Sequence, residues 1–544
     1  MAESQMPLLI VGAGPVGLTL AVACRQHGVP FRLIDRAPAP STVSKALVVW
    51  SGTIEALAAL GLAETFVAHA LECQGLHLTD RGRTLGRIPT EEGIESRYAW
   101  PLCLPQSRTE ALLAAHLRAQ GIEIEREVEL VDLRPGPDAV RGQLRHAGGR
   151  VEDFTADYVA GCDGARSAVR HHLPVEFEGE TVDGNFILVD AKIEGGGPAQ
   201  SEVYISFSKT GPVALLPLDP GLWRVFCSRP TQENQEPPTL AEMQGHLDSA
   251  GLAHWKLADP IWLSYFLVNE RVASRLRVGR VFLCGDAAHI HSPAGGQGMN
   301  TGMQDAFNLA WKLKLLREGV ADSEAVAESY HHERHAVAKM VVGGTSKLFR
   351  AARMRNPFLT EARKLAASFL VNLPVVQRFA SEKSSELGIV YEPSPLAPGE
   401  AGAWPADAAG IPSGRRARDV ALETAAGAIA SLWEHTFASD YTLLFFSGHH
   451  PGPESAIAAS DLAAAALALR PALNFVGIWH GYQPPAGSGT WLRDAAAAAH
   501  QRYGVGHQTA WYLVRPDQYI AARSQPADLD ALRAALAPVA AKVI

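Results

Sequence analysis

The chain has 544 residues, more than one hydrophobic core usually serves, so two or three domains are expected. Its 47% hydrophobic and 19% charged residues are typical of a globular protein with ample core. The formal net charge of −8, without a basic run, argues against a nucleic-acid partner.

The N-terminus predicts a dinucleotide site. Leu8–Val11 reads as an apolar strand, the run Gly12-Ala13-Gly14-Pro15-Val16-Gly17 completes G-x-G-x-x-G, and Leu18–His27 continues as a helix. A second strand, Phe31–Ile34, closes on Asp35 and Arg36. In this context the first glycine makes the turn, the second admits a pyrophosphate and the third packs helix on strand, while Asp35 suits ribose hydroxyls.

The same stretch is not expected to be a leader or a membrane segment. Pro7 to Cys24 is apolar, but it lacks a basic flank and is interrupted by Gly-Ala-Gly-Pro. The six cysteines form no C-x-x-C pair, which favours reduced thiols and a cytoplasmic protein over disulfides or zinc.

A second motif runs from Asp157 to Arg170. Asp163 and Gly164 follow an apolar strand, so the acid is expected at the carboxyl edge of the sheet. Arg166 and Arg170 suit the phosphates of a nucleotide or, equally well, surface ion pairs.

Residues 181–276 predict an antiparallel sheet. Five strand-like runs are separated by turn residues, namely Phe186–Ile193, Glu202–Phe207, Val213–Pro217, Trp223–Ser228 and Ile261–Val268. Alternation places Tyr204 on one face of its strand, where it can orient a phenol or simply pack.

The third motif is the run Gly285–Asn300. An apolar strand, Arg280–Cys284, precedes it, and a helix is expected from about Asn300. Asp286 at the strand exit can accept hydrogen bonds from a polyol, and the glycines that follow let the backbone approach a flat ring. The two histidines His289 and His291 stand two residues apart with no third ligand nearby, so no metal site is predicted.

Helices are expected to continue to about Glu386, followed by a Pro/Gly/Ala-rich linker at 391–416. The remainder predicts alternating elements: strand Tyr441–Phe446, helix Glu454–Leu469, strand Asn474–Ile478, helix Trp491–Tyr503, strands Thr509–Val514 and Tyr519–Arg523, and helix Leu529–Leu536. This part has no cysteine, so thiol–disulfide chemistry is excluded there.

Taken together, the three motifs resemble the FAD-dependent aromatic-ring hydroxylases, single-component flavoprotein monooxygenases similar to hydroxybenzoate and phenol hydroxylases. The resemblance covers about Leu8 to Tyr391. It implies an α/β fold in which a Rossmann-like FAD-binding domain (1–180 and 276–390) is interleaved with a β-sheet substrate domain (181–275). After the linker it implies a thioredoxin-like domain (417–544) with a structural or homodimer-forming role.

The resemblance also implies cofactor contacts. Lys45 stands where relatives carry an arginine that reaches the FAD phosphates, and Gln106 and Val128 match contacts near the ribityl chain and adenine. Asp163 would serve both FAD and NAD(P)H. The full predicted FAD set is Gly12, Gly14, Pro15, Val16, Gly17, Asp35, Arg36, Lys45, Gln106, Val128, Asp163, Gly164, Asp286, Gly296, Gly298, Met299 and Asn300. The predicted pocket residues are Trp50, Tyr204, His289 and Pro293.

By the same resemblance, NADH or NADPH reduces FAD and O₂ adds to give a C4a-hydroperoxyflavin, which hydroxylates an aromatic carbon. Relatives acting on hydroxybenzoate hold its carboxylate with an arginine. Between Tyr204 and Leu218 this chain has no arginine, only Lys209, so an uncharged phenolic or polycyclic substrate is expected. Three alternatives stay open: Baeyer–Villiger oxidation of a ketone, a redox-silent FAD-binding protein, and an NAD-dependent dehydrogenase using the single Rossmann site.

Overall fold

The computed structural model describes residues 6–208, 211–229, 236–292, 295–352, 381–391, 394–397, 402–405, 410–438, 440–481 and 489–542, without the side chains of 182–185, 196 and 345–352. The chain forms two compact units. The first comprises Met1–Val22, Phe31–Ala306 and Val337–Leu387, and the second comprises Ala23–Pro30, Phe307–Ala336 and Gly388–Ile544.

The first sheet of the first unit is built around the N-terminal strand. Leu8, Leu9 and Ile10 are fully buried, as in a parallel strand covered on both faces. The strand order is Arg277–Val278, Val281–Leu283, Val151–Gly161, Met6–Val11, Arg32–Asp35 and Glu125–Arg126, extended on the long strand Val151–Gly161 by the antiparallel pair Val140–His146 and Val128–Pro135. The predicted strands Leu8–Val11 and Phe31–Ile34 are therefore present, each shifted or extended by one or two residues.

The second sheet contains all five strands expected between 181 and 276, each within a longer strand. Its order is His289–Ile290, Leu257–Ala273, Phe177–Ile193, Leu222–Arg229, Gly211–Asp219, Glu202–Ser208, Gly75–Asp80 and Arg83–Pro89. The last two strands form a hairpin that the sequence analysis did not predict. A small third sheet joins Val48–Val49, Leu102–Cys103 and Leu71–Glu72.

The helices up to residue 352 include three that run across the division between the units: Pro15–Gln26, Gly298–Glu318 and Ser323–Ala352. Those within the first unit are Ser51–Ala59, Ala63–Ala68, Gln106–Ala119, Ala168–His171 and Leu240–Ser249. Pro15 opens its helix at a position where a missing N–H costs nothing.

The second unit has a seven-stranded mixed sheet in the order Ile429–Ser431, Ala421–Thr424, Thr490–Arg493, Asn474–Trp479, Thr442–Phe446, Ala510–Val514 and Ile520–Ser524. Its helices are Trp433–Thr436, Pro453–Leu469, Ala498–Arg502 and Leu529–Leu536. The strand Thr442–Phe446 is buried throughout, with Leu443 and Phe445 in one core and Leu444 and Phe446 in the other.

One predicted helix in this unit is wrong. The stretch Trp491–Tyr503 begins as the strand Thr490–Arg493 and becomes helical only at Ala498–Arg502. The Trp491 ring packs edge-on against Phe475 and Trp479, at 5.9 Å between centroids in each case. This packing of an aromatic side chain on a neighbouring strand outweighs the helix-favouring alanines that follow.

A completely buried ion network also lies in the second unit. The Glu333 carboxylate accepts hydrogen bonds from two guanidinium nitrogens of Arg515, at 2.7 and 2.8 Å, and from Lys312 Nζ at 2.7 Å. Arg515 also forms a 2.6 Å ion pair with Asp517. Two cations therefore balance two carboxylates, and Asn308 donates to both acids.

Candidate functional site

The three glycines of the fingerprint meet three different constraints. Gly12 has a φ of +104°, and a Cβ there would lie 2.5 Å from the carbonyl oxygen of Cys162. A Cβ on Gly17 would collide with the carbonyl oxygen of Gly12, so helix and turn are in direct contact. A Cβ on Gly14, in contrast, would meet nothing within 4 Å. The backbone at Gly14 is thus open to a ligand, as a pyrophosphate site requires.

The three sequence motifs lie against one another. Gly12 contacts the second motif at Cys162 and Asp163. Val16 contacts the third motif, because its methyl group would lie 2.7 Å from a Cβ on either Gly285 or Gly302. Segments more than 100 residues apart therefore form one site at the carboxyl ends of the parallel strands, where ligands bind in open α/β sheets.

Asp35 closes the second strand and is held by backbone donors. Its carboxylate accepts hydrogen bonds from Ala13 N at 2.6 Å and Ala37 N at 2.8 Å. The exposed Arg36 follows it. A cleft of about 450 Å³ adjoins these residues and is lined by Arg36, Ala37, Pro38, Glu127, Glu129, Arg145, His146 and Ala147. Val128 lies between two of the lining residues and is itself buried.

The segment carrying Lys45 is fixed from the second sheet by an arginine that the sequence analysis missed. Arg224 donates to the carbonyl oxygens of Ser44 at 2.5 Å and Lys45 at 3.1 Å. Asp190, on the adjacent strand, accepts two hydrogen bonds from the same guanidinium, both at 2.8 Å. The Lys45 side chain itself remains exposed.

Gln106 begins its helix and has both ends of its amide engaged. Its Oε1 accepts from Ala46 N at 3.2 Å, and its Nε2 donates to Glu110 at 2.9 Å. Burial raises the pKa of Glu110, a carboxyl that the sequence analysis did not single out. The amide thus couples the segment after Lys45 to the start of the helix.

Asn300 joins the third motif to the segment ending at Trp50. Its side chain accepts from Trp50 N at 2.8 Å and donates to the carbonyls of Val48 and Gly296, both at 2.8 Å. Asn300 is fully buried. The Trp50 indole N–H donates to Gly295 O at 2.8 Å. Side chain and backbone together fix the glycine-rich loop that precedes the helix.

Asp286 and the start of the Gly298–Glu318 helix border the same region. Asp286 is exposed, but the neighbouring protein atoms limit the hydration of its side chain. This desolvation raises the pKa of the carboxyl, and the charges of His289 and Lys45 partly offset the rise. Gly298 and Met299 open the helix, where backbone N–H groups lack intrahelical acceptors. Such a helix terminus favours an electron-rich ligand edge.

Asp163 and Gly164 form the corresponding turn of the second motif. The Asp163 carboxylate accepts from Ser167 Oγ at 2.5 Å and from Val169 N at 3.2 Å. Gly164 has a φ of +79°. The sequence left two roles open for Arg170, a nucleotide contact or a surface ion pair. In the structure Arg170 is buried and donates to Ala287 O at 3.0 Å. It thereby links the second motif to the third.

Of the four predicted pocket residues, the structure describes Trp50, Tyr204 and His289, and each has its own contacts. His289 is buried and its Nε2 lies 2.7 Å from Asp305, which also accepts from Gly285 N. The Tyr204 ring stacks on His77 at 4.9 Å and packs edge-on against Trp255 at 5.4 Å. These are packing contacts, the alternative left open for Tyr204, and a pocket role for either residue stays a prediction. Pro293 lies outside the described residues.

The site fits FAD in its shape and its donors. The open backbone at Gly14, the Asp35 carboxylate and the Lys45 cation suit a dinucleotide, and the glycine loop fixed by Asn300 suits a planar ring. These residues would hold the cofactor; the individual contacts stay predictions.

Comparison with known proteins agrees with this fit. Residues 5–345 match a family model described as an FAD binding domain. A 6-methylpretetramide 4-monooxygenase from Streptomyces rimosus is 34% identical over 540 residues, 97% of this chain and 92% of the relative. An anhydrotetracycline hydroxylase from Streptomyces rimosus has a solved structure with a TM-score of 0.75 and 29% identity, covering 98% of this chain and 99% of that one. A solved complex of aklavinone-11 hydroxylase with FAD and aklavinone gives a TM-score of 0.75 at 25% identity, over 98% and 100% of the two chains.

These matches confirm the predicted family, the Rossmann-like FAD-binding fold and the FAD cofactor, with NAD(P)H and O₂ implied by the family. Among the described helices, none is long and apolar enough to cross a membrane. The chain belongs to the FAD-dependent aromatic hydroxylases and is an FAD-dependent aromatic monooxygenase.

Proposed function

We propose that this monooxygenase hydroxylates an uncharged phenolic or polycyclic aromatic compound. When bound and reduced by NAD(P)H, FAD supplies the oxygen-activating chemistry. The protein's contribution is then to orient a flat ring and to exclude water from the site.

The observation that carries the proposal is an aromatic wall on the second sheet, formed by Phe186, Phe226 and Phe266. Their ring centroids are separated by 5.5, 5.8 and 5.7 Å. Phe186 is buried, whereas Phe226 and Phe266 are partly exposed. Such a surface stacks with or packs against fused rings and offers no hydrogen-bond donor or cation to a carboxylate.

The aromatic wall lies on the same side of the sheet as the cofactor segment. Phe226 stands two residues from Arg224, so both side chains project from one face, and Arg224 reaches the backbone of Ser44 and Lys45. Tyr204 projects from the opposite face, into the core with Trp223 and the helix Leu240–Ser249. Arg224 is engaged by Asp190 and is not available to a substrate carboxylate.

Three similar proteins bear names that point the same way. The proteins named 6-methylpretetramide 4-monooxygenase, anhydrotetracycline hydroxylase and aklavinone-11 hydroxylase are each named for a particular substrate. We carry over from them only the class, a fused-ring aromatic compound.

The test is a substrate screen with the purified FAD-loaded protein. We expect 1-naphthol and hydroxyanthraquinones to stimulate NADH or NADPH consumption more than 4-hydroxybenzoate does, with a product one oxygen atom heavier and a new ring hydroxyl. A preference for 4-hydroxybenzoate would overturn the substrate class. A lactone or ester product would instead indicate Baeyer–Villiger oxidation, and no stimulation by any aromatic compound would indicate a redox-silent protein.

The aromatic wall provides a matched pair of variants. Phe226→Leu should lower the apparent affinity for hydroxyanthraquinones roughly fivefold and that for 1-naphthol less, because a lost aromatic contact is worth about 1 kcal/mol. Tyr265→Phe lies on the opposite face of the same sheet and should leave both affinities unchanged.

We also propose the domain division 1–180 with 276–390, 181–275, a linker at 391–416 and a thioredoxin-like 417–544 that is structural or forms a homodimer. The mixed sheet of the second unit, with helices between its strands, supports this. We propose a cytoplasmic protein without a nucleic-acid partner, since all six cysteines are buried and outside disulfides and the net charge is −8.

A further inference from the structure

Five histidines gather at one end of the sheet in the second unit, outside the oxidation site. His449 and His450 follow the strand Thr442–Phe446 after two residues, and His480 directly follows the adjacent parallel strand Asn474–Trp479. His500 lies on the short helix Ala498–Arg502, and His507 lies in the loop beyond it. We call these five residues the histidine cluster.

His449 lies at the centre of the cluster. Its ring centroid is 5.4 Å from that of His480, 5.4 Å from that of His500 and 5.9 Å from that of His507. His480 and His500 are 5.7 Å apart, and His450 stacks on His507 at 5.2 Å. Each of the five imidazoles therefore lies close enough to at least one other for their charges to interact when both are protonated.

In the part of the chain that the structure describes, the carboxylate bonded to the cluster is that of Asp494. His500 Nδ1 lies 2.7 Å from Asp494 Oδ2, and His480 Nδ1 lies 2.9 Å from the Asp494 carbonyl oxygen. Burial alone would raise the pKa of Asp494, but the hydrogen bonds from His500 lower it. Next to the cluster, Arg493 donates hydrogen bonds to Gly481 O and to the carboxylate of Glu423. The positive charge of Arg493 is therefore balanced by Glu423.

The buried side of the cluster is formed by the His500 ring and its neighbour Phe446. His500 is fully buried, and its Nε2 has no hydrogen-bond partner. The Phe446 ring packs edge-on against the His500 ring at 5.3 Å. The His500 Nε2 atom is thus a buried polar atom without a hydrogen-bond partner, which is a costly arrangement. Among the described residues no group of three histidine, cysteine or acidic side chains is placed to hold a metal ion.

Protonation and folding therefore compete at His449. Desolvation, followed by the charges of His500, His480, His507 and His450, lowers the pKa of His449. The folded form binds fewer protons than the unfolded form, so the stabilisation is present above the ordinary histidine pKa of about 6.5 and is lost as the pH falls below it.

We propose that the histidine cluster is an acid-sensitive point of the second unit, where the segments around His449, His480 and His500 open together when the pH falls below about 6. The opening moves the imidazole rings apart and gives the buried His500 ring access to water. This proposal does not depend on the substrate of the oxidation site.

Hydrogen–deuterium exchange of the full-length FAD-loaded protein at pH 7.5 and 5.5, corrected for intrinsic exchange rates, tests it. Peptides covering residues 446–452, 479–481 and 498–508 should lose protection on acidification. The opening equilibrium should change about tenfold per pH unit for each proton excluded from the folded form. Peptides covering the first-unit strand Gly211–Asp219 should stay protected.

The variant His449→Gln keeps a polar side chain of similar size but cannot be protonated, and it should reduce the loss of protection at pH 5.5. His172 is an exposed histidine in the first unit, far in sequence from the cluster. The variant His172→Gln is therefore the matched control and should behave as the original protein does. Equal protection at both pH values, or an unchanged acid effect in His449→Gln, would overturn the proposal. Should His449→Gln fold poorly, His450→Gln at the exposed edge provides the same comparison.

Discussion

Asn300 and Trp50 are 250 residues apart, and the Asn300 carboxamide accepts the Trp50 backbone N–H at 2.8 Å. The other end of the same amide holds the carbonyls of Val48 and Gly296. One buried side chain thus shapes the glycine-rich loop, the helix start and the segment after Lys45. Several consequences of such contacts can be measured.

Replacing Asn300 by alanine should weaken FAD binding by at least tenfold. The substitution leaves one backbone donor and two carbonyls without their partner, and each unsatisfied buried group costs about 1–3 kcal/mol. FAD affinity is measured by flavin fluorescence quenching. Asn269→Ala, which removes an exposed hydrogen bond to Thr181, is the control and should bind FAD normally. Unchanged affinity in Asn300→Ala would contradict the assigned role.

Gly14→Ala and Gly17→Ala should fail in different ways. A Cβ at position 14 meets no protein atom, so the apoprotein should keep its melting temperature while losing FAD. A Cβ at position 17 collides with Gly12 O, so the apoprotein itself should be destabilised. Melting temperature and flavin occupancy are measured for each. Full FAD occupancy in Gly14→Ala would show that no ligand approaches that backbone.

Arg224→Lys should loosen the segment that carries Lys45. The substitution keeps the charge but loses the planar fork that holds Asp190 and two backbone carbonyls at once. We expect FAD affinity to fall about tenfold, which corresponds to roughly 1.4 kcal/mol. Arg229→Lys, on the same strand but bonded to Glu242, is the control and should leave FAD affinity unchanged.

Glu333→Gln should strongly destabilise the second unit. It removes the anion shared by Lys312 and Arg515 at a fully buried position, and breaking such a pair costs about 3–5 kcal/mol. The urea midpoint of unfolding is the measurement. Asp530→Asn, which breaks an exposed pair with Arg533, should not move the midpoint. Equal midpoints for the two variants would refute a stabilising network.

Lys312 should make stability rise with pH in the alkaline range. Burial, opposed by the charge of Glu333, lowers the pKa of Lys312 to about 8. Between that value and the ordinary lysine pKa of about 10.4, the unfolded chain binds more protons, so the unfolding free energy increases with pH. Urea unfolding at pH 8.0 and 9.5 should show this increase, and Lys312→Met should abolish it. A pH-independent midpoint in the original protein would contradict the lowered pKa.

Sequence analysis was most effective where the relevant contacts are local. The turn at Gly12–Gly17 and the strand closing on Asp35 depend on residues within about 30 positions, and the pattern identified them directly. Arg224 was missed because its acceptors lie 179 and 180 residues away, with no local pattern to reveal them. The closest available signal was an arginine in a strand that is otherwise apolar.

Side-chain direction was the other limit. Alternation along Glu202–Ser208 separates two faces but does not tell which face borders the cofactor segment. Phe226 lies on that face and Tyr204 on the opposite one, and a pocket role for Tyr204 stays a prediction. Likewise the sequence draws attention to His289 as a titratable residue but not to its partner Asp305, which lies 16 residues later on the helix Gly298–Glu318. Such pairings depend on tertiary packing, which a single sequence does not display.

The amide of Gln106 has one further consequence. Because Ala46 N can only donate and the opposite end of the amide is directed at Glu110, the folded chain itself determines which way the oxygen points. An incoming molecule therefore meets a preorganised surface and spends none of its binding energy on turning that group.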